Sequence, residues 1–510
     1  MKIESKSRKL YVLKNILWET FGNTLNTILN FISRSIFIYT LGTTYLGING
    51  LFTNILGILS LAELGMGSAI SFSLYKPLAE NDYSKIRALI SFFKKVYRII
   101  ALIVTVIGIA IIPFFKYILN GAENIDNIVP IYLIFLFNTI TSYFVVYKST
   151  IFSADQKNYI ITNIDNVAKT IISIFQIISL LILKNFMIYL MIDCIIKLLS
   201  KFYLNFMVNK NYPYIKKLEN EKLSKFDKEK IANKIKALIL HKIGEISIYQ
   251  TDNIITSAFI NIQTVGLVSN FTMIINLVNK YIVSFLNSFT AGLGNMIAIE
   301  NSSKCKQFFE KYDFICFWFY YLTSICLYFL LSPFIVIWLG NDKIIDKTTI
   351  FILCLNYYIT GLRVSLANIK SAGGAYEQDK WSPIIQAILN IGISIIGAKY
   401  LGLVGIYIGT IVSSIIPTIT RPYVVYKYIF KSSSKPYFIC FLKRLFIILI
   451  TIAALNKIIL LFNFGNKILE FTFTGFICVI FTTIIIFVVY HSTEEFKYLI
   501  NIIHNIINKI

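Results

Sequence analysis

Of the chain's 510 residues, 56% are hydrophobic and only 15% are charged, and the mean hydropathy is +0.69, a balance that excludes an ordinary soluble domain. A net charge of +23 would suit nucleic acid, but the basic residues follow membrane topology, so no nucleic-acid partner is expected. A hydrocarbon core about 30 Å thick needs roughly 20 apolar residues of helix to cross it, and the apolar runs lack barrel-style alternation, so the spans are read as α-helices.

In chain order the spans fall at 15–40, 48–74, 96–116, 128–147, 160–183, 186–208, 237–260, 265–297, 312–339, 349–371, 382–398, 402–426, 442–462 and 468–490. Before the first stand Lys2, Lys6, Arg8 and Lys9, with no small-residue cleavage site, so it reads as an uncleaved anchor. With the N-terminus inside, about 34 Lys and Arg fall in or beside inner loops, about 6 in outer ones and about 9 at membrane depth. That asymmetry predicts both termini in the cytoplasm, and the inner charges also suit anionic lipid headgroups. The seven cysteines include no CxxC pattern and none falls in an outer loop, so no disulfide is expected.

The expected fold is all-α and polytopic, with about fourteen transmembrane helices in two pseudo-repeated six-helix bundles plus two C-terminal helices. The boundaries are 1–208 for the first bundle, 209–236 for a basic cytoplasmic linker and 237–440 for the second bundle. Two additional spans occupy 441–490, and 491–510 reads as an interfacial helix, with Phe496, Leu499, Ile500 and Ile503 near one face. A short repeat supports the halves: Gly47-Ile-Asn-Gly-Leu-Phe-Thr-Asn-Ile55 resembles Gly266-Leu-Val-Ser-Asn-Phe-Thr-Met-Ile274. Likewise Gly65-Met-Gly-Ser-Ala-Ile70 resembles Gly292-Leu-Gly-Asn-Met-Ile297, so span two corresponds to span eight in a parallel repeat.

The run Leu41-Gly-Thr-Thr-Tyr-Leu-Gly-Ile-Asn-Gly50 leading into Leu61-Ala-Glu-Leu-Gly-Met-Gly-Ser-Ala-Ile70 resembles the opening of bacterial polysaccharide (O-antigen type) flippases. Those belong to the multidrug/oligosaccharidyl-lipid/polysaccharide exporter superfamily. Tyr249-Gln-Thr-Asp-Asn-Ile-Ile255, Gly361-Leu-Arg-Val-Ser-Leu-Ala-Asn368 and Gly402-Leu-Val-Gly-Ile-Tyr-Ile-Gly409 extend the resemblance along most of the chain. The resemblance implies two bundles around a central cavity in the bacterial cytoplasmic membrane. It also implies export of lipid-linked (undecaprenyl-pyrophosphate) oligosaccharide units by alternating access, alongside polysaccharide assembly proteins.

A charged side chain at mid-membrane costs about 2.5–3.5 kcal/mol on insertion scales and therefore needs a partner, water or a function. Arg363 lies near the middle of span ten with no acid within one turn, and is the leading candidate for a cavity-facing role. Arg34 in span one and Lys280 in span eight follow, with snorkelling and structural work as their alternatives. On the resemblance, the three cations would hold a pyrophosphate, Arg through paired donors and Lys as a point charge. Glu63 in span two, and Glu245 and Asp252 on one face of span seven, are candidates to carry H⁺ or Na⁺, with a static ion pair as the alternative. The i,i+4 pairs Asp165 with Lys169 and Asp193 with Lys197 read as self-neutralising.

No Walker A loop or HExxH site is present, and no loop is large enough for a catalytic domain, so neither enzymatic activity nor a cofactor or metal is expected. The competing readings are a cation-coupled multidrug exporter of the same superfamily and, further off, a membrane-embedded polysaccharide polymerase. Topology is checked by single-cysteine labelling: residues 209–236 should be accessible from inside and residues 120–127 from outside. Labelling of both loops from one side would break the even-span topology.

Overall fold

A computed structural model of the chain describes residues 2–63, 66–122, 125–216, 223–229, 231–232, 250–375, 377–462 and 465–507. Among the described residues the secondary structure is helical, with no strand, and nine helical stretches are long and apolar enough to cross a membrane. The chain is an all-α polytopic membrane protein. It divides into two compact units, Met1–Gly266 and Leu267–Ile510.

The first unit begins with α1 (Lys2–Leu59), followed by α2 (Met66–Ala79), α3 (Tyr83–Ile111), the short α4 (Phe115–Ile118), α5 (Ile128–Ala154), α6 (Asn158–Leu183) and α7 (Phe186–Asn211). Residues 250–259 form α8. Where the sequence predicts a loop between spans one and two, α1 is interrupted at one residue, Gly42 (φ 84°, ψ 177°). Only glycine takes that backbone without a Cβ penalty, so one residue does the work of a loop. Elsewhere helix starts are set by side-chain caps: Asn185 accepts from the N–H of Met187 at 2.8 Å to begin α7. Within the unit α1 packs on α6, while α5 sits against α2, α3 and α7.

The residues that the repeat aligns as Gly47 and Gly266 meet in this unit. A Cβ on Gly47 would stand 3.0 Å from the carbonyl carbon of Ile262, and a Cβ on Gly266 would stand 3.0 Å from that of Thr43. The contacts are reciprocal, each glycine facing the residue four before the other. Helices come this close in a membrane only where small residues let the backbones touch.

In the second unit the order is α9 (Ile262–Asn287, its first turn belonging to the first unit), α10 (Thr290–Ile299), α11 (Ser302–Leu339), α12 (Lys347–Leu362), α13 (Val364–Ala372), α14 (Ser382–Ser413), α15 (Ile415–Val424), α16 (Lys435–Ile459), α17 (Lys467–Tyr490) and α18 (Glu494–Ile507). A second positive-φ glycine, Gly402 (φ 60°, ψ −135°), breaks α14 where the sequence predicts the turn between spans eleven and twelve. α11 is the hub of the unit: α12, α13, α16, α17 and α18 all pack on it. The two additional spans, α16 and α17, are thus integral to the second unit. The tail helix α18 turns Phe496 onto Phe314 and Phe487, with ring centroids 6.5 and 6.0 Å away, and buries Leu499, while Ile500 stays exposed.

The reciprocal glycine contact generates a stability test. Gly47→Val or Gly266→Val forces backbones apart at an already closed crossing and should cost about 1–3 kcal/mol, as overpacking does. Thermal unfolding of the detergent-solubilised protein measures it, and an unchanged midpoint for both variants would contradict the contact.

Candidate functional site

In the first unit a line of polar side chains runs down α7 at intervals of four: Tyr189, Asp193, Lys197, Lys201, Asn205 and Asn209. Neighbours at i,i+4 touch on a helix, and the line spans about 30 Å at 1.5 Å per residue. Because four residues exceed one turn, the line winds around α7. Its first end meets α1 and α6, and its last end meets α5.

At the first end Tyr189 lies in the field of Arg34 and hydrogen-bonds Ser33. Its backbone carbonyl accepts from Gln176 Nε2 at 3.1 Å, and its ring packs 5.1 Å from Phe37. Arg34 is half-buried. In the middle, Asp193 pairs with Lys197 at 2.7 Å, as the spacing predicts, and also accepts from Asn138 Nδ2 of α5 at 3.1 Å. Lys201 donates to the Asn138 carbonyl at 2.8 Å and to Thr141 Oγ1 at 2.9 Å. At the last end Lys148 of α5 donates to Asn205 and Asn209, each at 3.3 Å. The α5–α7 seam is therefore a chain of donors and acceptors with more cations than acids.

The candidate acids occupy different settings. Glu63 closes the 3-10 turn Ser60–Glu63 and accepts from Tyr97 Oη of α3 at 3.3 Å. Tyr143 donates to Ser60 Oγ in the same turn, also at 3.3 Å. Asp252 is buried in α8, where its backbone carbonyl accepts from Thr256 Oγ1 at 2.7 Å. Glu245 lies outside the described residues, so the shared face of Glu245 and Asp252 stays an expectation.

In the second unit Arg363 stands at the break between α12 and α13 and is only 5% exposed. Its Nη1 donates to the Ser414 carbonyl at 2.9 Å and its Nη2 to Thr360 Oγ1 at 3.1 Å. Ser414 is itself the break between α14 and α15, so one guanidinium ties together two interrupted spans. The Ser414 carbonyl also accepts from the N–H and the Oγ1 of Thr418, at 3.2 and 2.8 Å, so Arg363 is a further donor to a group the helix already serves. Lys280, near the end of α9, is exposed.

Sequence reasoning missed a buried charge pair that joins two helices of this unit. Asp313 of α11 and Arg444 of α16 form a buried ion pair, Nη1 to Oδ2 2.6 Å. Ser365 of α13 donates to the other carboxylate oxygen at 2.5 Å, and the Arg444 guanidinium lies 4.7 Å over the Phe317 ring. Beside it Asn368 donates to Tyr312 Oη at 2.8 Å, and Lys370 pairs with Asp379. Asp313 and Arg444 sit at the starts of spans nine and thirteen, where boundary charges are ordinary. Their separation of 131 residues leaves no periodic signal. The α7 line was missed too, apart from its Asp193–Lys197 pair, although its polar positions repeat every four residues in the sequence.

Among the described residues no group of three His, Cys, Asp or Glu side chains is placed to hold a metal ion. No protein-family profile matches the sequence, and no curated protein matches it either. Solved structures do. An inward-facing multidrug resistance MATE family transporter of the MOP superfamily superposes with a TM-score of 0.62 at 16% identity, covering 79% of this chain and 94% of its own. The lipid II flippase MurJ, in an inward closed conformation, gives 0.62 at 15% identity over 94% of this chain and 99% of its own. The Vibrio cholerae MATE transporter VcmN gives 0.53 at 12% identity over 82% and 99%. The chain thus has the fold shared by these membrane transporters.

Removing one partner of a buried ion pair leaves the other charge uncompensated, at a cost of about 3–5 kcal/mol. Asp313→Asn or Arg444→Leu should therefore lower the unfolding midpoint sharply, whereas Asp313→Leu with Arg444→Leu should recover much of the loss. Thermal melts of the three variants decide it; single variants as stable as the unmodified protein would show that the pair does not hold α16 to α11.

Proposed function

We propose that the chain is a flippase that moves lipid-linked (undecaprenyl-pyrophosphate) oligosaccharide units across the bacterial cytoplasmic membrane by alternating access, for surface polysaccharide synthesis. The observation that carries this reading is the extent of the shared fold. The similarity to the lipid flippase covers 94% of this chain, whereas the three-dimensional match to the MATE transporter covers 79%. The stretch left over in the second comparison is long enough to hold α16, α17 and α18. The excess of cations at membrane depth supports an anionic cargo, since a cationic drug would be repelled by the same field.

In this proposal Arg34 and Lys280 contact the pyrophosphate. Arg363 takes part by fixing the broken spans, with its guanidinium directed at Ser414. Glu63, Glu245 and Asp252 carry the coupling H⁺ or Na⁺. The termini face the cytoplasm, and the partners beyond the substrate are anionic lipids and the proteins that assemble the polysaccharide.

Vesicles containing the purified protein, loaded with a fluorescent lipid-linked oligosaccharide, test the substrate, with efflux of a cationic dye followed in parallel. The unmodified protein should translocate the lipid. Arg34→Ala should weaken its uptake about tenfold, the value of one charge-assisted hydrogen bond. Glu63→Gln or Asp252→Asn should change the pH or Na⁺ dependence. Dye efflux without lipid translocation would establish the multidrug exporter instead.

A further inference from the structure

The exposed side of α9 does not have the composition of a lipid face. Over its second half, 275–287, the exposed side chains are Asn276, Lys280, Tyr281, Ser284, Phe285 and Asn287, and none is aliphatic. α17 shows the ordinary alternative. It turns Phe476, Val479, Ile480, Ile484 and Val488 outward, and its exposed Thr472 and Thr483 return their hydroxyls to their own helix. Beside the α9 face Thr272 and Ser288 do the same, at 3.2 and 2.7 Å. Ser284 does not. Among the described residues no hydrogen bond or ion pair engages the side chains of Asn276, Lys280, Tyr281 or Ser284.

Depth excludes a lipid headgroup as the partner. Lys280 stands about 27 Å from the start of its span at Ile262 and about as far from the end at Ile299, at 1.5 Å per residue, several times the length of a lysine stem. Polar groups without protein partners at that depth are answered by water or by a ligand that itself crosses the membrane. At about 100° per residue Asn276, Lys280 and Ser284 form one column, each about 5–6 Å from the next. Tyr281 and Phe285 form a second column beside it. The Phe285 ring is held by edge-to-face contacts with Phe289 and with Phe319 of α11, centroids 5.6 and 5.3 Å away, while about half of the residue stays exposed.

We propose that this face of α9 reads the first sugar of the lipid-linked cargo, with Asn276 and Ser284 bonding its hydroxyls and Tyr281 and Phe285 taking its ring face, beside a phosphate held by Lys280. The inference rests on the cargo proposed above and adds to it the residues that recognise the glycan. One cation without an acid suits one anionic group. An amide and a hydroxyl both donate and accept, as the edge of a sugar does, and the aromatic rings offer apolar surface to its C–H face. The phosphate and the first sugar are bonded neighbours, so one helical turn from Lys280 to Ser284 suits their separation. A cationic drug would meet the same lysine as a repulsion.

Native mass spectrometry of the full chain in detergent, titrated with undecaprenyl-pyrophosphate-linked N-acetylglucosamine or with undecaprenyl pyrophosphate itself, separates the sugar from the anion. The unmodified protein should bind the glycosylated lipid more tightly, by on the order of tenfold. Asn276→Ala, Ser284→Ala, Tyr281→Leu and Phe285→Leu should each weaken the glycosylated lipid about fivefold, the value of one neutral hydrogen bond or ring contact, and leave the sugar-free lipid unchanged. Lys280→Gln should weaken both lipids about tenfold. Phe285→Tyr keeps the ring and should retain sugar binding, which separates recognition from folding should the Leu variant fail to purify. Phe476→Leu removes an exposed aromatic side chain from α17 and should change neither affinity. Equal affinity of the unmodified protein for the two lipids, or sugar selectivity that survives both Ser284→Ala and Phe285→Leu, overturns the proposal and leaves a pyrophosphate-lipid cargo intact. Binding of neither lipid overturns the cargo reading itself, and this inference with it.

Discussion

A charge placed inside a transmembrane bundle must be answered by another group of the protein, by water or by a ligand, and the architecture of both units follows from how that demand is met. In the second unit the answer is an ion pair. Asp313 and Arg444 satisfy one another across α11 and α16, Ser365 fills a further lone pair from α13, and the Phe317 ring covers the guanidinium. Three helices are registered at one point, because a shift in any of them would strand a charge in a low-dielectric interior.

The first unit answers the same demand differently. Along α7 the cations outnumber the acid, and amide and hydroxyl oxygens of α5 and α7 share the work. Neutral acceptors satisfy the geometry of an ammonium but not its field. The result is a polar seam that is locally satisfied and electrically positive, which distinguishes it from the closed pair of the second unit.

Interrupted helices are the other shared device. Gly42 and Gly402 reverse or redirect a helix within one residue by taking a positive φ. Arg363 and Ser414 mark breaks of a different kind, where the side chain at one break donates to the backbone carbonyl at the other. The tie between them uses a residue type that a lipid-facing helix would exclude. That is why Arg363 stood out in the sequence as needing an explanation, and Ser414 and Thr360 of its own unit accept from it.

Hydropathy is a local and additive property, so the sequence by itself determined that the chain is helical and polytopic, and largely where its spans lie: the stretches at 160–183 and 468–490 coincide with α6 and α17 almost residue for residue. The i,i+4 rule likewise reaches as far as one helix, and the Asp193–Lys197 pair was legible from it. Loops expected near residues 42 and 402 became single-glycine joints, because turn length depends on a backbone angle that composition does not report. Which charges meet was decided by tertiary structure alone. Asp313 finds Arg444 across 131 residues and Lys148 finds Asn205 across 57. Such partners are selected by which helix faces pack together, and no periodicity within either helix carries that information.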